Sequence, residues 1–598
     1  MLGESICRVR PDLPAVAREF DYLVPDPLHA EIQVGTIVRV PLQGRSVRGW
    51  VTAIDVATIA DPQRLLPVGK VVGAGPPADV ISLCEWAAWR WAGTPVAFMR
   101  AASPPNAVRA PWPSSGNTFD LGSSRREVLA WPPAADRREL VADRIATTGS
   151  TIVIVPDDSR VGSLVKYLER AGHTALLMHS GESAAQRTRA WSDARTGRCV
   201  VIGGRTAIWV PVPDLASVIV LDEGDEGLQE ERSPTWNARD VAAMRASRSG
   251  ASLTLVGVVP SLEAIAIAGD PVRPPAIQER NGWPQLEVVD LREEPPGTAL
   301  LSERLARALH RAVDAGGRAI CIVNRKGRAR QLTCFSCDSL AVCERCNSAV
   351  VEGERGTERG LVSARLSCPQ CGTVRPMICL GCHGTRMRAR RVGISRLRDD
   401  LALLLPRSEV VAVEAATDDV PDVPVLMGTE AVLHRLPPGR PLLLAAFLDL
   451  DQELAAHRYR AAPQAVALLA RAARLLGPRN GNGRLLIQTR LPQHEVIDVA
   501  LTGDPTRLLE NETERRREVS YPPFGALAEV SGSSAAVMAL LANLPSEISV
   551  LGPTETATGQ RALLHAMSDM ELADALVLGS PVGRAEGRLR IAVDPPRV

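Results

Sequence analysis

Apolar and polar side chains alternate along the first 75 residues, with turn residues between the alternating runs. The alternation is clearest in Phe20–Val24, Thr36–Val40 and Val47–Ile54. A period of two places apolar side chains on one face of a β-strand, so the pattern predicts a small β-rich domain. Residues 80–102 instead have the spacing of a helix. Residues 104–136 are rich in Pro, Ser and Gly, which is typical of a linker.

From about residue 139, short apolar runs alternate with helical stretches. The strand-length runs of this first block are Thr151–Val155, Thr174–Met178, Cys199–Gly203, Ala216–Leu221 and Ser252–Gly257. A second block of the same kind begins near residue 301 and continues to about residue 489. Strands that alternate with helices indicate βαβ units, so the pattern predicts two α/β lobes with parallel sheets. The last hundred residues alternate again and predict an α+β domain.

A chain of 598 residues is too long for one hydrophobic core, which supports several domains. The net charge is +1, so any nucleic-acid binding must come from local basic surfaces. Aromatic residues make up 3% of the chain, which argues against base stacking on many exposed rings. The N-terminus lacks the apolar run of a secretory signal, and no run is long enough to cross a membrane. The sequence therefore predicts a cytoplasmic protein without membrane contact.

Eight of the twelve cysteines lie in one short segment as four Cys-x-x-Cys pairs. The pairs are Cys334/Cys337, Cys343/Cys346, Cys368/Cys371 and Cys379/Cys382. Two such pairs supply the four thiolates of a tetrahedral zinc site, so the segment predicts two Zn²⁺ ions. With every ligand position filled by the protein, such zinc is structural and not catalytic. Iron–sulfur clusters are the competing interpretation, but they seldom use four regular pairs.

The pairs are separated by five, twenty-one and seven residues. The inner pairs have close to the spacing of a zinc ribbon, which favours a nested arrangement. One ion would then be held by Cys343, Cys346, Cys368 and Cys371, and the other by Cys334, Cys337, Cys379 and Cys382. A sequential arrangement stays open, although the five-residue gap makes it tight. His383 follows the last cysteine and is interpreted as a neighbour of the site. The other cysteines are expected to be small buried residues: Cys7, Cys84, Cys199 and Cys321.

A double-zinc insertion inside the second of two α/β lobes resembles the replication-restart family of primosomal protein N-prime, PriA. Short motifs along most of the chain support the resemblance. They are Phe20-Asp21-Tyr22-Leu23-Val24-Pro25, His179-Ser180-Gly181, Gly203-Gly204-Arg205-Thr206-Ala207, Asn237-Ala238-Arg239-Asp240-Val241, Asn324-Arg325-Lys326-Gly327, Tyr521-Pro522-Pro523-Phe524 and Val593-Asp594-Pro595. None of these motifs is decisive alone, but their order and spacing are specific together.

The resemblance implies an α/β protein with two RecA-like helicase lobes, both degenerate here, between a β-rich N-terminal domain and an α+β C-terminal domain. The expected boundaries are an N-terminal 3′-end DNA-binding domain over 1–105, a linker over 106–138, lobe 1 over 139–270, lobe 2 over 271–330 and 385–495, the double-zinc insertion over 331–384, and the C-terminal domain over 496–598. The winged-helix domain of the family has no room in the linker and is expected to be absent.

The helicase motifs of the family are incomplete. A P-loop needs Gly-x-x-x-x-Gly-Lys-Ser/Thr to hold phosphates and Mg²⁺. The segment before Thr151–Val155 is Ile145-Ala146-Thr147-Thr148-Gly149-Ser150, which has no lysine. The chain has three lysines, Lys70, Lys166 and Lys326, and none is placed for the role. The sequence therefore does not support ATP and Mg²⁺ as cofactors.

Other motifs have changed together with the P-loop. The family's DEEH motif reads Asp222-Glu223-Gly224-Asp225, which keeps a degenerate nucleotide site of Asp222 and Glu223. The arginine-finger motif keeps Arg471 and Arg474, but its glycines are replaced by helix formers. We interpret the carboxylates as strand-end residues and the arginines as part of a solvated or DNA-facing helix.

The N-terminal domain keeps more of the family pattern. The resemblance assigns Phe20, Asp21, Gly44 and Lys70 to a pocket for the 3′ end of a DNA strand, with Gly44 displaced by one position. Phe20 would stack on a base, Asp21 would accept from a base edge, and Lys70 would attract phosphate. A buried phenylalanine and a turn aspartate are the structural alternative. Two arginine clusters add basic surface: Arg39, Arg45 and Arg48, and Arg386, Arg388, Arg390 and Arg391.

The resemblance implies a DNA-binding primosome factor that recognises stalled forks and single-strand/double-strand junctions, helps to reload the replication machinery, and does not unwind DNA. Its implied partners are other primosome proteins and single-strand-binding proteins, and its implied location is the nucleoid. One alternative is an ATP-dependent 3′-to-5′ helicase with a divergent nucleotide site. Another is a zinc protein with a purely structural or partner-binding role.

Overall fold

The structure is a computed structural model. It describes residues 5–16, 18–58, 64–109, 125–156, 161–294, 300–323, 332–345, 348–353, 356–358, 361–369, 371–389, 394–414, 417, 419–556 and 559–597. The chain forms two compact units. The first consists of Met1–Leu129, Asp136–Val272 and Arg515–Pro595, and the second of Ala130–Ala135, Arg273–Glu514 and Pro596–Val598.

The N-terminal domain is a curled five-stranded sheet. Its strands are β1 (Ile6–Pro11), β2 (Phe20–Leu23), β3 (Thr36–Leu42), β4 (Arg45–Ile54) and β5 (Lys70–Ala74), in the order β2-β1-β4-β3-β5. The sheet closes on itself, because the Leu23 amide donates to the Leu66 carbonyl and the Val68 amide donates to the Leu23 carbonyl, at 3.1 and 2.9 Å. The alternating apolar side chains fill the interior, among them Val9, Tyr22 and Val38. The predicted β-rich domain is confirmed.

Two helices follow the sheet, α1 (Ala78–Arg90) and α2 (Pro95–Ala102), where the sequence predicted one. The break falls at Gly93, Thr94 and Pro95, because proline begins a helix readily but cannot continue one. The ring of Phe98 on α2 lies 5.5 Å from that of Trp209, which lies 5.3 Å from Trp236. These rings join α2 to the first lobe within a single core.

The first lobe is a six-stranded sheet in the order β6-β11-β10-β7-β9-β8, and the pairings from β11 to β8 are parallel. Its strands are β6 (Arg126–Ala130), β7 (Ser150–Ile154), β8 (Ala175–Met178), β9 (Val200–Gly203), β10 (Leu215–Leu221) and β11 (Ser252–Gly257). Its helices are α3 (Arg137–Arg144), α4 (Val161–Arg170), α5 (Ala184–Ala194), α6 (Ala238–Ser249) and α7 (Leu262–Ala268).

Strand β6 and the start of α3 lie within residues 106–138, which the sequence predicted to be a linker. The correction has a local cause: five strand residues stand just before Trp131-Pro132-Pro133, and the prolines hid the strand in a loop-like stretch. Lobe 1 therefore begins by residue 126. Part of the remaining linker, 110–124, lies outside the described residues.

The second lobe is a fully parallel six-stranded sheet in the order β12-β24-β23-β13-β22-β21. Helix α8 (Ala276–Asn281) precedes β12 (Gln285–Asp290), α9 (Glu303–Asp314) and β13 (Arg318–Ile322). After an insertion that contains the cysteines, the lobe resumes at residue 394 with α10 (Ile394–Leu404), as set out below. The two α/β lobes predicted from the alternation are confirmed by the two parallel sheets.

The insertion contains only short strands. They are β14 (Leu332–Cys334), β15 (Val351–Glu352), β16 (Gly356–Glu358), β17 (Leu361–Ser363), β18 (Arg365–Ser367), β19 (Val374–Pro376) and β20 (Met387–Ala389). β14 pairs with β20, β16 with β17, and β15-β18-β19 form a third small sheet. Its buried cluster contains Leu332, Ala341, Val350 and Leu366 together with Cys343 and Cys368. Two cysteines thus belong to a core that is small by itself.

Lobe 2 continues from α10 with β21 (Val410–Val413), β22 (Val425–Gly428), β23 (Leu442–Phe447), α11 (Asp451–Leu454), α12 (Ala461–Leu476), β24 (Arg484–Thr489) and α13 (Glu495–Thr502). Helix α14 (Thr506–Glu518) leads to the C-terminal domain. That domain has strands β25 (Ala526–Gly532), β26 (Ser549–Thr556), β27 (Gly559–Ala566) and β28 (Leu589–Val593), and helices α15 (Ser534–Leu541) and α16 (Asp569–Ala585). The sheet order is β26-β27-β25-β28, and its pairings are antiparallel.

The C-terminal domain packs on α1 and lobe 1 within the first unit. The buried Arg90 guanidinium donates to Asp594 at 2.6 Å, and the Thr235 hydroxyl accepts from the Val593 amide at 2.9 Å. None of the helices among the described residues has the length and apolar character needed to span a bilayer.

Candidate metal centres, carboxylate site and DNA-binding surface

The thiols of the outer cysteine pairs converge. Cys334 ends β14 and Cys337 follows it, while Cys379 and Cys382 lie in the turn before β20. The pairing of β14 with β20 therefore brings the two Cys-x-x-Cys pairs together. Their four Sγ atoms lie within 4.8 Å of one another, with Cys334–Cys382 at 3.4 Å and Cys337–Cys379 at 3.6 Å. A tetrahedral zinc site with Zn–S bonds of 2.3 Å has Sγ atoms about 3.8 Å apart. The spacing therefore fits one ion.

The inner pairs converge in the same way. The Sγ atoms of Cys343, Cys368 and Cys371 lie within 4.8 Å of one another, with Cys343–Cys371 at 3.5 Å. Cys346, the fourth predicted ligand, lies outside the described residues. The described thiols are thus grouped outer with outer and inner with inner. His383 has φ 61°, in the left-handed region, and is not part of either group of potential ligands.

Thiols of the outer group and thiols of the isolated cysteines have shifted pKa values for different physical reasons. The Cys337 thiol has a pKa lowered to about 6: burial raises it, but hydrogen bonds from Ser339 and from neighbouring cysteines outweigh burial. Burial alone dominates at Cys321, where it raises the pKa of the thiol to about 12. Cys7, Cys84 and Cys199 are also buried, with raised thiol pKa values. In the outer group, the Gly384 amide lowers the pKa of the Cys382 thiol, but hydrogen bonds with Cys337 and Cys334 outweigh it and raise that pKa to about 12. Among the described cysteines, the convergence of the Sγ atoms therefore distinguishes the clustered thiols from the isolated ones.

The cysteine insertion is anchored to the second lobe. The Arg490 guanidinium, just after β24, donates to the Asp338 carboxylate at 2.6 Å and to its backbone carbonyl at 2.9 Å. The Ala349 amide donates to the Ala455 carbonyl at 2.9 Å. Because Asp338 lies directly after Cys337, the outer cysteine group is attached to the parallel sheet through a buried arginine.

In the structure, the loop that corresponds to a P-loop lies before α3, and not before β7 as predicted. A P-loop connects a strand to the N-terminus of a helix, which binds phosphate. Residues 145–150, the position predicted from the sequence, connect α3 to β7 and so run from a helix to a strand. The strand–loop–helix connection is the one from β6 to α3, through Trp131–Asp136. It contains no glycine or lysine, and Pro132 and Pro133 have no amide hydrogen.

The N-terminus of α3 is closed by a carboxylate. The Asp136 side chain accepts from the Arg138 amide at 2.8 Å and pairs with the Arg138 guanidinium at 2.6 Å. The bond from Arg138 holds the pKa of the Asp136 carboxyl below its usual range. A negatively charged cap satisfies the helix end and repels a second anion. This helix end therefore already has an anionic partner from the chain itself.

Asp222 follows β10 and forms an ion pair with an arginine. Its two carboxylate oxygens accept from Nη1 and Nη2 of Arg137 at 2.5 and 2.7 Å, in a bidentate pair. Both side chains are mostly buried. The oxygens that would face Mg²⁺ in a motor thus face the guanidinium of Arg137, the first residue of α3. Sequence reasoning missed Arg137, because nothing in its local pattern indicates a partner 85 residues away.

Glu223 is fully buried, with 0% of its side chain exposed, and its oxygens are also engaged. One accepts from the Ser261 amide and the other from the Ser261 hydroxyl, both at 2.7 Å, while Arg239 lies 3.5 Å away. Burial raises the pKa of the Glu223 carboxyl, although Arg239 and Ser261 act in the opposite direction. Ser261 also caps α7 by accepting from the Ala264 amide. Asp225, at the position of the family's histidine, caps a short 3-10 turn by accepting from the Gly227 amide.

The predicted DNA-binding residues lie around the line where the N-terminal sheet closes. Phe20 and Asp21 are on β2, and Lys70 begins β5 just after the segment that pairs with Leu23. The Tyr22 hydroxyl donates to the Pro41 carbonyl at 3.1 Å, which ties β2 to the end of β3 near Gly44. Gly44 has φ 75° in the β3–β4 turn and has open space around it.

These side chains do not share one face. Phe20 packs partly on the interior of the sheet, with the Arg18 guanidinium 4.9 Å from its ring centre. Asp21 points outward, where its carboxylate accepts from Arg8 at 2.8 and 3.3 Å. The Arg8 bond lowers the pKa of the Asp21 carboxyl. A base edge would therefore compete with Arg8 for Asp21.

Lys70 belongs to a basic row on the outer face. It lies directly opposite Arg39 on β3, which lies opposite Arg48 on β4. Residues directly opposite one another in antiparallel strands share a face, so the register places three cations side by side. Of the second arginine cluster, Arg386 and Arg388 are described and exposed, while Arg390 and Arg391 lie outside the described residues. Arg471 and Arg474 are half-buried on α12.

Comparison with known proteins agrees with these features. A family model described as "3'DNA-binding domain (3'BD)" matches residues 8–104, and one described as "Primosomal protein N C-terminal domain" matches residues 517–596. The chain is 27% identical to a probable replication restart protein PriA of Mycobacterium bovis, over 92% of this chain and 90% of the relative. The corresponding figures for Mycobacterium leprae are 28%, 92% and 91%.

The Bacillus subtilis replication restart protein PriA is 26% identical over 69% of this chain and 54% of that protein. Among solved structures, RecG bound to a three-way DNA junction aligns over 65% of this chain and 43% of that chain, with 11% identity and a TM-score of 0.35. The two terminal family models and the similarity along nearly the whole chain thus show that the protein is similar to the replication restart proteins PriA from one end to the other.

Proposed function

We propose that the protein is a replication-restart factor that binds forked DNA and does not hydrolyse ATP. The observation that carries the second part is the bidentate pair between Arg137 and Asp222. A guanidinium that already neutralises both oxygens of a carboxylate competes with Mg²⁺ for them. The Asp136 cap on α3 and the burial of Glu223 act in the same direction. The chain therefore uses the helicase lobes as a scaffold.

The DNA-binding part rests on the N-terminal domain. The proposed site for a 3′ end comprises Phe20, Asp21, Gly44 and Lys70, with the row of Arg39, Arg48 and Lys70 attracting the phosphate backbone. Asp21 would exchange its bond to Arg8 for a bond to the terminal nucleotide. Such a factor would work in the nucleoid and hand the fork to other primosome and single-strand-binding proteins.

Both cysteine groups are proposed to hold structural Zn²⁺. The outer ion would be bound by Cys334, Cys337, Cys379 and Cys382, and the inner ion by Cys343, Cys346, Cys368 and Cys371. Their spacing and clustered thiols fit this metal. Zinc would supply the folding free energy that the small buried core of the insertion lacks. We propose the domain boundaries given above with two changes: lobe 1 begins at residue 126, and lobe 2 continues to residue 514, so that the C-terminal domain begins at residue 515.

An ATPase assay with forked DNA tests the central claim. The zinc-loaded chain is expected to show no ATP hydrolysis above a protein-free background, with or without DNA. Turnover that is stimulated by DNA and lost in Asp222→Asn would overturn the proposal in favour of the helicase alternative. An Asp225→Asn variant is the matched control, because Asp225 caps a local turn.

Fork binding tests the N-terminal site. Fluorescence anisotropy compares forks whose 3′ end carries a free hydroxyl with forks whose end is blocked. The unmodified chain is expected to prefer the free end, and Asp21→Ala to lose that preference, whereas Asp26→Ala, an exposed control, keeps it. Arg8→Ala should keep the preference, because it frees the Asp21 carboxylate. If Arg8→Ala and Asp21→Ala lose it equally, the ion pair is structural and Asp21 does not contact DNA.

A further inference from the structure

The outer cysteine group presents an exposed aromatic ring. Phe335 lies between Cys334 and Cys337, and 53% of its surface is exposed, in a chain with six phenylalanines. A ring in a two-residue knuckle has no core to enter, because both neighbouring cysteines point inward toward the other thiols. The knuckle therefore holds Phe335 on the surface.

Two arginines of the opposing strand lie against this ring. The guanidinium carbon of Arg386 is 4.4 Å from the ring centre, and that of Arg388 is 5.9 Å away. The arrangement follows from the β14–β20 register: Cys334 pairs with Met387, and the Phe335 amide donates to the Arg386 carbonyl at 2.9 Å. The ring and the Arg386 side chain are thus held side by side by backbone bonds.

The two arginines differ in their charge partners. Arg388 donates to the Asp338 carboxylate at 2.8 Å, and Asp338 also accepts from Arg490. Arg386 is exposed and makes no ion pair with a carboxylate among the residues that the structure describes. Its charge therefore has no carboxylate partner among the described residues, and the Asp338 carboxylate is already shared by Arg388 and Arg490.

We propose that Phe335 and Arg386 form a stacking platform for single-stranded nucleic acid on the cysteine insertion. An unpaired base would continue the stack of ring and guanidinium, and Arg386 and Arg388 would contact the flanking phosphates. The charge favours this occupant over an apolar peptide, because guanidinium groups border the ring. The inference deepens the proposed fork binding by giving the single-stranded arm a site in the second unit, and it rests on that proposal.

The test uses the full zinc-loaded chain and short probes without a 3′ hydroxyl, so that the N-terminal site does not contribute. Anisotropy at several salt concentrations measures binding to oligo-dT and to an abasic strand of equal length. The unmodified chain should bind oligo-dT about tenfold more tightly, because only bases can stack. Phe335→Ala should reduce oligo-dT binding to the abasic level. Arg386→Ala should weaken both and reduce the salt dependence by about one phosphate contact.

The controls separate the platform from folding and from fork binding. Arg304→Ala, on the exposed face of α9, should change neither affinity. Zinc content must be equal in all variants, and Phe335→Trp should restore the preference for bases. Equal oligo-dT binding by Phe335→Ala and the unmodified chain overturns the platform. If the unmodified chain binds neither single strands nor forks with a free 3′ end, the proposed function fails as well. Fork binding that survives without base preference refutes the platform alone.

Discussion

The cysteine groups and the carboxylates of lobe 1 both consist of residue types that can bind a metal, but they are built in opposite ways. The Sγ atoms of the cysteine groups face one another at 3.4–3.6 Å. The oxygens of Asp222 and Glu223 face Arg137, Ser261 and Arg239. Ligand atoms that converge need an ion to be stable, whereas ligand atoms that already have internal partners do not.

The difference shows how an acidic pair at a strand end can be neutralised by the chain's own arginines. A cation site that loses its ion leaves buried charge, which is costly unless another cation replaces it. Arg137 and Arg239 supply that charge from within lobe 1. An acidic pair at a strand end therefore does not identify a Mg²⁺ site, whereas four regular thiol pairs do predict metal.

The largest effect is expected at the outer cysteine group. Cys334→Ser should reduce bound zinc from two ions to about one per chain and expose the β14–β20 region, because a structural zinc site supplies most of the folding free energy of such a segment. Zinc is measured by metal analysis of the dialysed protein, and local order by protease cleavage within 332–389.

Two further variants sharpen this prediction. Cys343→Ser should also retain about one ion, but lose the inner one. Cys199→Ala, at a buried isolated cysteine, should retain both. A chain that holds both ions after Cys334→Ser, or a full complement with iron in place of zinc, would contradict the assignment.

A smaller but still large effect is expected at Glu223. Glu223→Ala leaves the buried Arg239 without one of its carboxylate partners and leaves the Ser261 hydroxyl without its acceptor. Removing one partner of a buried ion pair costs about 3 kcal/mol or more, so the midpoint of thermal unfolding should fall by several degrees. Differential scanning fluorimetry of the zinc-loaded chain measures it.

The control for Glu223 is Glu231→Ala, at an exposed position in the same lobe, which should leave the midpoint within about one degree. If Glu223→Ala is as stable as this control, the carboxylate is not part of a structural network. The contrast with the cysteine groups would then lose its basis.

Much of the fold was predictable because its signals are local. A period of two gave the N-terminal strands, and alternating runs gave both parallel sheets. The cysteine grouping followed from the spacing of the pairs, since a Cys-x-x-Cys knuckle fixes its own geometry. Family resemblance added the order of the domains, which the two terminal family models support.

The closure of the carboxylate site was not predictable, because it depends on which strands are neighbours. Strand β6 is short and stands before two prolines, so the P-loop position was placed at the wrong end of α3. Because β6 was not predicted, nothing in the sequence placed Arg137 beside Asp222. The ion pair between Asp21 and Arg8 was not predicted for a similar reason, because the two residues become neighbours only through the pairing of β1 with β2.

The smallest effect is expected at Arg137, and it tests the comparison most directly. Arg137→Ala removes a mostly buried ion pair and should destabilise the chain by about 1–2 kcal/mol, less than Glu223→Ala, because water can reach the freed Asp222. ATP hydrolysis should stay at background, since Asp136 still caps α3 and the preceding loop still contains Pro132 and Pro133. Arg138→Ala is the matched control, because Arg138 is the next residue and half-exposed.

Stability and ATP hydrolysis of Arg137→Ala together show whether the phosphate site is absent or is only obstructed by the Arg137 guanidinium. If Arg137→Ala gains DNA-stimulated ATP hydrolysis that Arg138→Ala lacks, the guanidinium was blocking a competent site. The carboxylates would then resemble the cysteine groups in awaiting an ion. If Arg137→Ala only loses stability, the loop and the helix cap have already removed the phosphate site, and Arg137 neutralises a carboxylate that no longer has a metal to bind.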